Sequence, residues 1–312
     1  MKRKSLEKAV LLTVMLMSLH GIAGATDPVT ADGENKDVQV VDETVISAND
    51  TTGLNAINGG SITVNGSGQL VINKNQEENA IAIGTPKDVS QGEEGSSGTL
   101  TINDDVKLVV DMDINNIQKE NTSGIYLTGN DSKLDIGAGG LQVDVTVNNS
   151  DAQYIRGINQ EGGILTANGV IDVTMSAQKN ALYVTGIDVR NYYNESKLYL
   201  NKGANITVTG NGNNTASAVG IYSVLNGEVL ADGKVVLNVS DAEMNNGIIV
   251  TGSAVAKENL HLKYLEATIS GGAENYGMQV RGGLAVLDNA VINVKDGTDK
   301  NTGIWAWSKA DT

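Results

Sequence analysis

Residues 186–208 read GIDVRNYYNESKLYLNKGANITV, and apolar residues stand at alternate positions three times over: Ile187 and Val189, Leu198 and Leu200, Ile206 and Val208. Alternation at period two makes each group a half-buried strand. Gly, Asn and Ser between the groups supply turns, because they tolerate the backbone conformations that reverse a chain. The same triple recurs as Ile125 and Leu127, Leu134 and Ile136, then Val143, Val145 and Val147, and again as Met278 and Val280, Leu284 and Val286, Ile292 and Val294. Helical periodicity is absent beyond the first twenty-odd residues.

The Gly-Ile pair that opens the stretch is itself periodic. It recurs at Gly124-Ile125, Gly157-Ile158, Gly186-Ile187, Gly220-Ile221, Gly247-Ile248, Gly277-Met278 and Gly303-Ile304, with spacings of 33, 29, 34, 27, 30 and 26 residues. Two more units fit upstream, at Gly53-Leu54 and, with alanine in place of glycine, at Ala80-Ile81. The 44-residue interval from Ala80 to Gly124 contains a polar stretch, residues 85–98, which reads as an inserted loop. Repeats of this length, each holding three strands and three turns, predict an all-β, right-handed parallel β-helix (a β-solenoid) of about nine coils of roughly 30 residues over residues 53–312. A β-sandwich would also alternate at period two, but it gives no reason for one Gly-Ile signature per coil. The recurrent glycines are expected to stack at one corner, where a Cβ would collide or force a disfavoured φ. Asn65-Gly66, Asn168-Gly169, Asn211-Gly212 and Asn226-Gly227 are expected turn formers.

The unit has to repeat for energetic reasons. Ordering about 30 residues costs at least ~30 kcal/mol of backbone entropy, whereas burying six or seven aliphatic side chains returns only ~10–20 kcal/mol. Stacked coils share ladder hydrogen bonds and one continuous core, so stability is cooperative along the axis.

The N-terminus carries a different signature. Lys2, Arg3, Lys4 and Lys8 precede an apolar run over residues 9–19, and Ala23-Gly24-Ala25 supplies small residues for cleavage. Residues 1–25 therefore read as a secretory signal peptide. The run is too short for the ~20 residues of a membrane-spanning helix, and with no cysteine after it a lipoprotein anchor is excluded. Residues 26–52 are expected to form an N-terminal cap or leader segment.

The chain of 312 residues has no cysteine and a net charge of −15. Loss of residues 1–25 would leave 18 basic against 36 acidic side chains, about −18. Nucleic acid is excluded as a partner, since a phosphate backbone requires a basic face. The missing thiols exclude disulfide scaffolds, thiolate zinc sites and cysteine nucleophiles.

Catalytic chemistry has little to draw on. His261 is the one histidine outside residues 1–25, and it alternates with Leu260 and Leu262, so it points to solvent. No Ser-His-Asp or Cys-His arrangement, His-ligated metal site, calcium-binding nonapeptide repeat or phosphate-cradling glycine loop is expected. Asp104-Asp105 and the Asp111/Asp113 pair are the best carboxylate pairs, for acid/base chemistry on a glycan or for Ca²⁺; the simpler reading is a solvated coil edge. The strongest case for catalysis has Asp111 and Asp113 gathering with Asp144 and Asp172 along one groove. Arg156, Arg190 and Arg281 are the only arginines outside residues 1–25. Tyr126, Tyr183, Tyr199 and Tyr222 fall beside inward positions and could stack on sugars; the simpler reading for most of them is an amphipathic strand residue on an outer face. Trp305 and Trp307 share one face of the last strand, opposite Ile304 and Ala306, and could cover or continue an interface.

Signal peptide, no cysteine, acidic charge and Gly/Asn-rich coils with GIxV strands together resemble the passenger domain of Gram-negative type V autotransporters. The resemblance covers nearly the whole chain after residue 25. It implies an adhesin-like, non-enzymatic binding scaffold, exposed at the outer-membrane cell surface or released. Its partner would be a host or matrix protein or glycan, with self-association at an uncapped C-terminal edge. It also implies an outer-membrane β-barrel translocator, which this chain does not contain; the sequence stops at Thr312, ten residues into a coil, and reads as C-terminally truncated. A carbohydrate-active β-helix, a polysaccharide lyase or hydrolase, is the alternative. No catalytic residue, metal or cofactor is assigned.

Overall fold

The computed structural model describes residues 25–49, 51–76, 78–86, 95–115, 121–148, 152–178, 181–192, 196–225, 227–252 and 258–307. Residues 1–24, which hold nearly all of the expected signal peptide, lie outside them, as do Asn226 and most of the expected inserted loop. Among the described residues no helix is long and apolar enough to cross a membrane.

The chain is a parallel β-solenoid. Every strand pairing among the described residues is parallel, which removes the antiparallel sandwich. Three faces run along the axis. On the first, Ile62, Leu100, Leu134, Leu165, Leu198, Val229 and Leu260 form one inward column. On the second, Leu70, Leu108, Leu141, Ile171, Ala204, Val235 and Leu265 do the same. On the third, Leu54, Ile81, Ile125, Ile158, Ile187, Ile221, Ile248, Met278 and Ile304 stack in register. All nine units read from the Gly-Ile period therefore occupy equivalent places, including the alanine variant at Ala80-Ile81. Segment 26–52 joins the stack as well, with Val29–Asp32 paired to Leu54–Ile57 and Asn35–Ser47 paired to residues 61–73.

Alternation holds in detail. The strand Leu141–Val147 buries every second side chain, and its inward residues Leu141, Val143, Val145 and Val147 are at most 1% exposed. These columns merge into one core running the length of the solenoid. Identical polar residues also stack: Asn245 donates to Asn275 Oδ1 (2.9 Å), and Asn275 donates to Asn301 Oδ1 (3.2 Å) and to the Lys295 carbonyl (2.8 Å). The Asn245 and Asn275 side chains are fully buried, so this ladder is what makes their position tolerable.

The expected inserted loop interrupts only the return from the third face to the first. Its base is closed where the Thr85 amide donates to the Ser96 carbonyl at 3.0 Å and the Thr85 hydroxyl pairs with the Ser96 hydroxyl at 2.9 Å. The coils on either side keep their register across it.

The recurrent glycines do stack, and of the two expected reasons it is collision, not a disfavoured φ, that applies. Gly186 lies inside the strand Ala181–Arg190 rather than at a turn, and neither it nor its equivalents has a positive φ. A Cβ on Gly186 would point into the solenoid, 2.5 Å from Ile206 Cγ2 and 2.8 Å from the Gly220 carbonyl of the next level. Alternation breaks at this glycine: Val184 and Ile187, three apart, are both fully buried, and the ladder skips Gly186 between Thr185 and Ile187, so the strand bends there and its backbone comes too close to the second face for a side chain. Positive φ is used elsewhere, as at Gly203 (φ 88°) in the turn before Ala204. Among the expected Asn-Gly turns, Gly66 and Gly212 have positive φ and Gly169 does not.

Candidate functional site

The bend at the glycine column shapes the outer surface as well as the core. Because the strand turns inward at Gly157, Gly186, Gly220, Gly247 and Gly277, the outward residues one before and two after each glycine converge across a concave elbow. Outward residues here are buried by each other: Arg156, Asp188, Val219, Asn246, Ile249 and Gln279 are all at most 7% exposed. Contacts cross the elbow between levels. Arg156 Nε donates to Asp188 Oδ2 at 2.7 Å, Gln279 donates to Asn246 Oδ1 at 2.5 Å, and the Tyr276 ring meets Trp305 with centroids 6.0 Å apart. Between roughly the Tyr154 and Asp299 levels the elbow opens into a groove of about 690 Å³.

All three arginines outside residues 1–25 line this groove. The carboxylate of Asp188, whose side chain is 1% exposed, is shared by two of them. Arg190 approaches it with Nε at 2.8 Å from Oδ1 and Nη2 at 2.6 Å from Oδ2, a two-point geometry that a lysine could not supply. Arg156 takes Oδ2 from the neighbouring level and adds a bond from Nη1 to Asn121 Oδ1 at 3.1 Å. Burial opposes the Arg190 charge, but the hydrogen bonds and charge of Asp188, with a smaller contribution from Tyr192, push its pKa up. Arg281 is arranged differently. Its Nε donates to Gln279 Oε1 at 3.0 Å, with Nη2 on the same oxygen, and its guanidinium lies 5.8 Å from the Trp305 ring centroid.

Aromatic rings complete the lining. Tyr154 and Tyr183, in register on adjacent levels, stack with centroids 4.9 Å apart and planes 7° apart, each about two-fifths exposed. Arg190 lies 5.5 Å from the Tyr222 centroid. Burial, partly offset by the Arg190 charge, pushes the Tyr222 hydroxyl pKa up, so it remains a neutral donor at physiological pH. Arginine faces, tyrosine faces and Asn/Gln amides together form a surface able to hold an extended ligand by stacking and hydrogen bonding.

The residues singled out in the sequence fall into two groups. Tyr183 and Tyr222 line the groove with Arg156, Arg190 and Arg281, and Trp305, outside the lining, is tied to it through Arg281. Trp307 and Ile304 are exposed on the last level. Tyr126 lies in the same column as Tyr222, several levels away, and donates to Glu161 Oε2 at 2.8 Å.

The remaining residues lie on other faces. Tyr199 and His261 are on the first face, where His261 alternates with the fully buried Leu260 and Leu262. His261 Nδ1 is 2.7 Å from Glu258 and its Nε2 is 3.2 Å from Asp288. Asp104 accepts from the Ala138 amide at 3.0 Å and serves a turn. Asp111 and Asp144 stand directly beside each other on the second face, whereas Asp172 pairs with Gln142, two positions away. The imagined row of four carboxylates is therefore not a single column. Partial burial, then the charges of Asp144 and Asp113, push the Asp111 pKa up. Among the described residues no cluster of three metal-ligating side chains occurs.

Sequence reading missed the groove because it judged the arginines by number. The available signal was offset from the repeat glycine: Tyr154 and Tyr183 stand three residues before theirs, Asp188, Tyr222 and Trp305 two after, and Arg190 and Arg281 four after. Compared with known proteins, the chain matches no protein-family model, no curated protein and no solved structure.

Proposed function

We propose that this chain is an exported binding scaffold of the autotransporter-passenger kind, displayed at the cell surface or secreted, which holds an extended host or matrix ligand along the elbow groove and catalyses no reaction. The observation that carries the reading is the convergence of Arg156, Arg190, Arg281, Tyr154, Tyr183 and Tyr222 on one 690 Å³ concavity. The groove spans several successive coils, so weak contacts add along a chain-like ligand. A cationic leader ahead of an apolar run supports export.

The test is binding of displayed protein to epithelial cells and matrix. Saturable binding that falls at least tenfold in the Tyr154→Ala/Tyr183→Ala double variant, with an unchanged urea midpoint, is the expected result. Undiminished binding by that variant would refute the groove as the binding face. One observation favours an enzyme instead: Glu243, Glu274 and Asp299 line the groove with Arg281. Turnover of polygalacturonate, alginate or host glycans, with or without Ca²⁺, that Glu274→Gln abolishes without unfolding would replace binding by catalysis.

A further inference from the structure

The geometry points to an anion-reading subsite at the Trp305 end of the groove, which selects a linear glycan whose carboxylate-bearing sugars alternate with neutral ones. The inference rests on the binding reading above and names the ligand class.

The two ends of the groove use their cations differently. At one end Arg156 and Arg190 share the single carboxylate of Asp188, which holds both guanidiniums in the wall and leaves one net positive charge. At the other, Arg281 has only the neutral Gln279 amide oxygen and the Trp305 face as partners, and Lys300 has only rings. Lys300 Nζ is 4.9 Å from the Tyr276 centroid and 5.5 Å from that of Trp305. Among the described residues neither cation has an ion-pair partner, in a chain with 37 acidic and 22 basic side chains. Two cations within 6 Å of one indole, neither held by an ion pair, offer a carboxylate charge-assisted donors beside an aromatic surface.

The acids around this subsite decide the spacing of charge. Glu274 accepts from the Tyr276 hydroxyl at 2.5 Å, and Glu243 and Asp299 lie on the same lining. A uniformly charged polymer would set its neighbouring anions against these carboxylates. A neutral sugar would instead offer hydroxyl donors to them. Adjacent levels lie ~4.8 Å apart, close to the length of one sugar unit, so successive sugars meet successive levels. The stacked Tyr154 and Tyr183 rings extend the platform further along.

The experiment is titration calorimetry of the whole chain with three probes: hyaluronan oligosaccharide (alternating uronate and neutral sugar), its carboxyl methyl ester, and oligogalacturonate. Hyaluronan should bind about tenfold tighter than the ester, the scale of one charge-assisted contact. It should also bind tighter than oligogalacturonate, and the preference over the ester should weaken as salt is raised. Arg281→Gln and Lys300→Gln alter exposed side chains, so folding is retained; each should lower hyaluronan affinity by more than it lowers ester affinity, so that the preference for acid over ester shrinks. Equal binding of acid and ester, or a preference surviving both substitutions, overturns the subsite. Absence of binding by all three probes also overturns it. If, in either case, Tyr154→Ala/Tyr183→Ala still abolishes cell binding, the groove reading stands without the subsite. A preference for oligogalacturonate would overturn the alternation argument alone.

Discussion

Substituting Gly186 by alanine adds one methyl group at a place where the solenoid has no room. The new Cβ would stand 2.5 Å from Ile206 Cγ2 and 2.8 Å from the Gly220 carbonyl oxygen, whereas carbon atoms in contact rest ~3.5–4.0 Å apart. The isoleucine methyl can rotate away. The carbonyl cannot, because it belongs to the next level, whose position is set by the register from Ala181↔Thr215 to Arg190↔Val224. Overpacking of this kind costs ~1–3 kcal/mol, and the reduced freedom of the unfolded chain returns ~0.4–1 kcal/mol. Gly186→Ala should therefore lose about 1–2 kcal/mol and Gly186→Val about 3 kcal/mol.

Gly303 provides the internal control. It occupies the same place in the last described strand, has no positive φ, and a Cβ there would meet nothing within 4 Å. Gly303→Ala should be neutral or slightly stabilising. Urea unfolding of the two variants measures the difference, and amide exchange should show protection falling first in residues 181–190 and 217–224 for Gly186→Ala. If Gly186→Ala proves as stable as Gly303→Ala, crowding at the inner elbow is not what keeps glycine in this column.

Asp188→Asn should destabilise by ~3–5 kcal/mol, since it leaves two largely buried guanidiniums without their shared charge; a loss below ~1 kcal/mol in urea unfolding would show that the triad carries no net stability. Asp111→Asn should do the opposite at neutral pH. A carboxyl whose pKa is raised by folding binds its proton more tightly in the native state, so it lowers stability above that pKa and the penalty disappears as pH falls. The variant should be the more stable protein at pH 7, and its advantage should vanish as pH is lowered through the carboxylate range; a constant advantage at all pH values would contradict this. In solution scattering the solenoid should be a rod, about 40 Å long at ~4.8 Å per coil, and a profile fitted by a sphere would contradict the stacking.

The fold was legible because two independent periods agree. Alternation at period two assigns each residue to the inside or outside, and the Gly-Ile recurrence assigns each group to a face. Ile125, Ile158, Ile187 and Ile221 could be aligned on sequence alone, and they occupy one column. What could not be read was any feature decided between levels. Asn245, Asn275 and Asn301 look like ordinary turn residues, and only their stacking makes a buried ladder possible. The bend at Gly186 was equally hidden: a glycine in a strand signals close approach as well as positive φ, and which of the two applies depends on Ile206, some 20 residues away.

The groove follows from the same bend. A straight strand would point the residues flanking each glycine away from one another, and Arg156 and Asp188 would then be exposed surface charges worth little. Bending brings the two rows together, so outward positions acquire the burial and geometry of an interior while remaining open to ligand along one side. Few cations suffice under these conditions: three arginines spread at random over an acidic rod would be screened by their neighbours, but in register columns they meet across one concavity. The glycine column thus couples stability to the shape of the groove, and on the proposed reading to binding. Any substitution that straightens the elbow, Gly186→Val foremost, should weaken ligand binding and local amide protection together, whereas a change confined to the rim such as Arg281→Gln should affect binding alone.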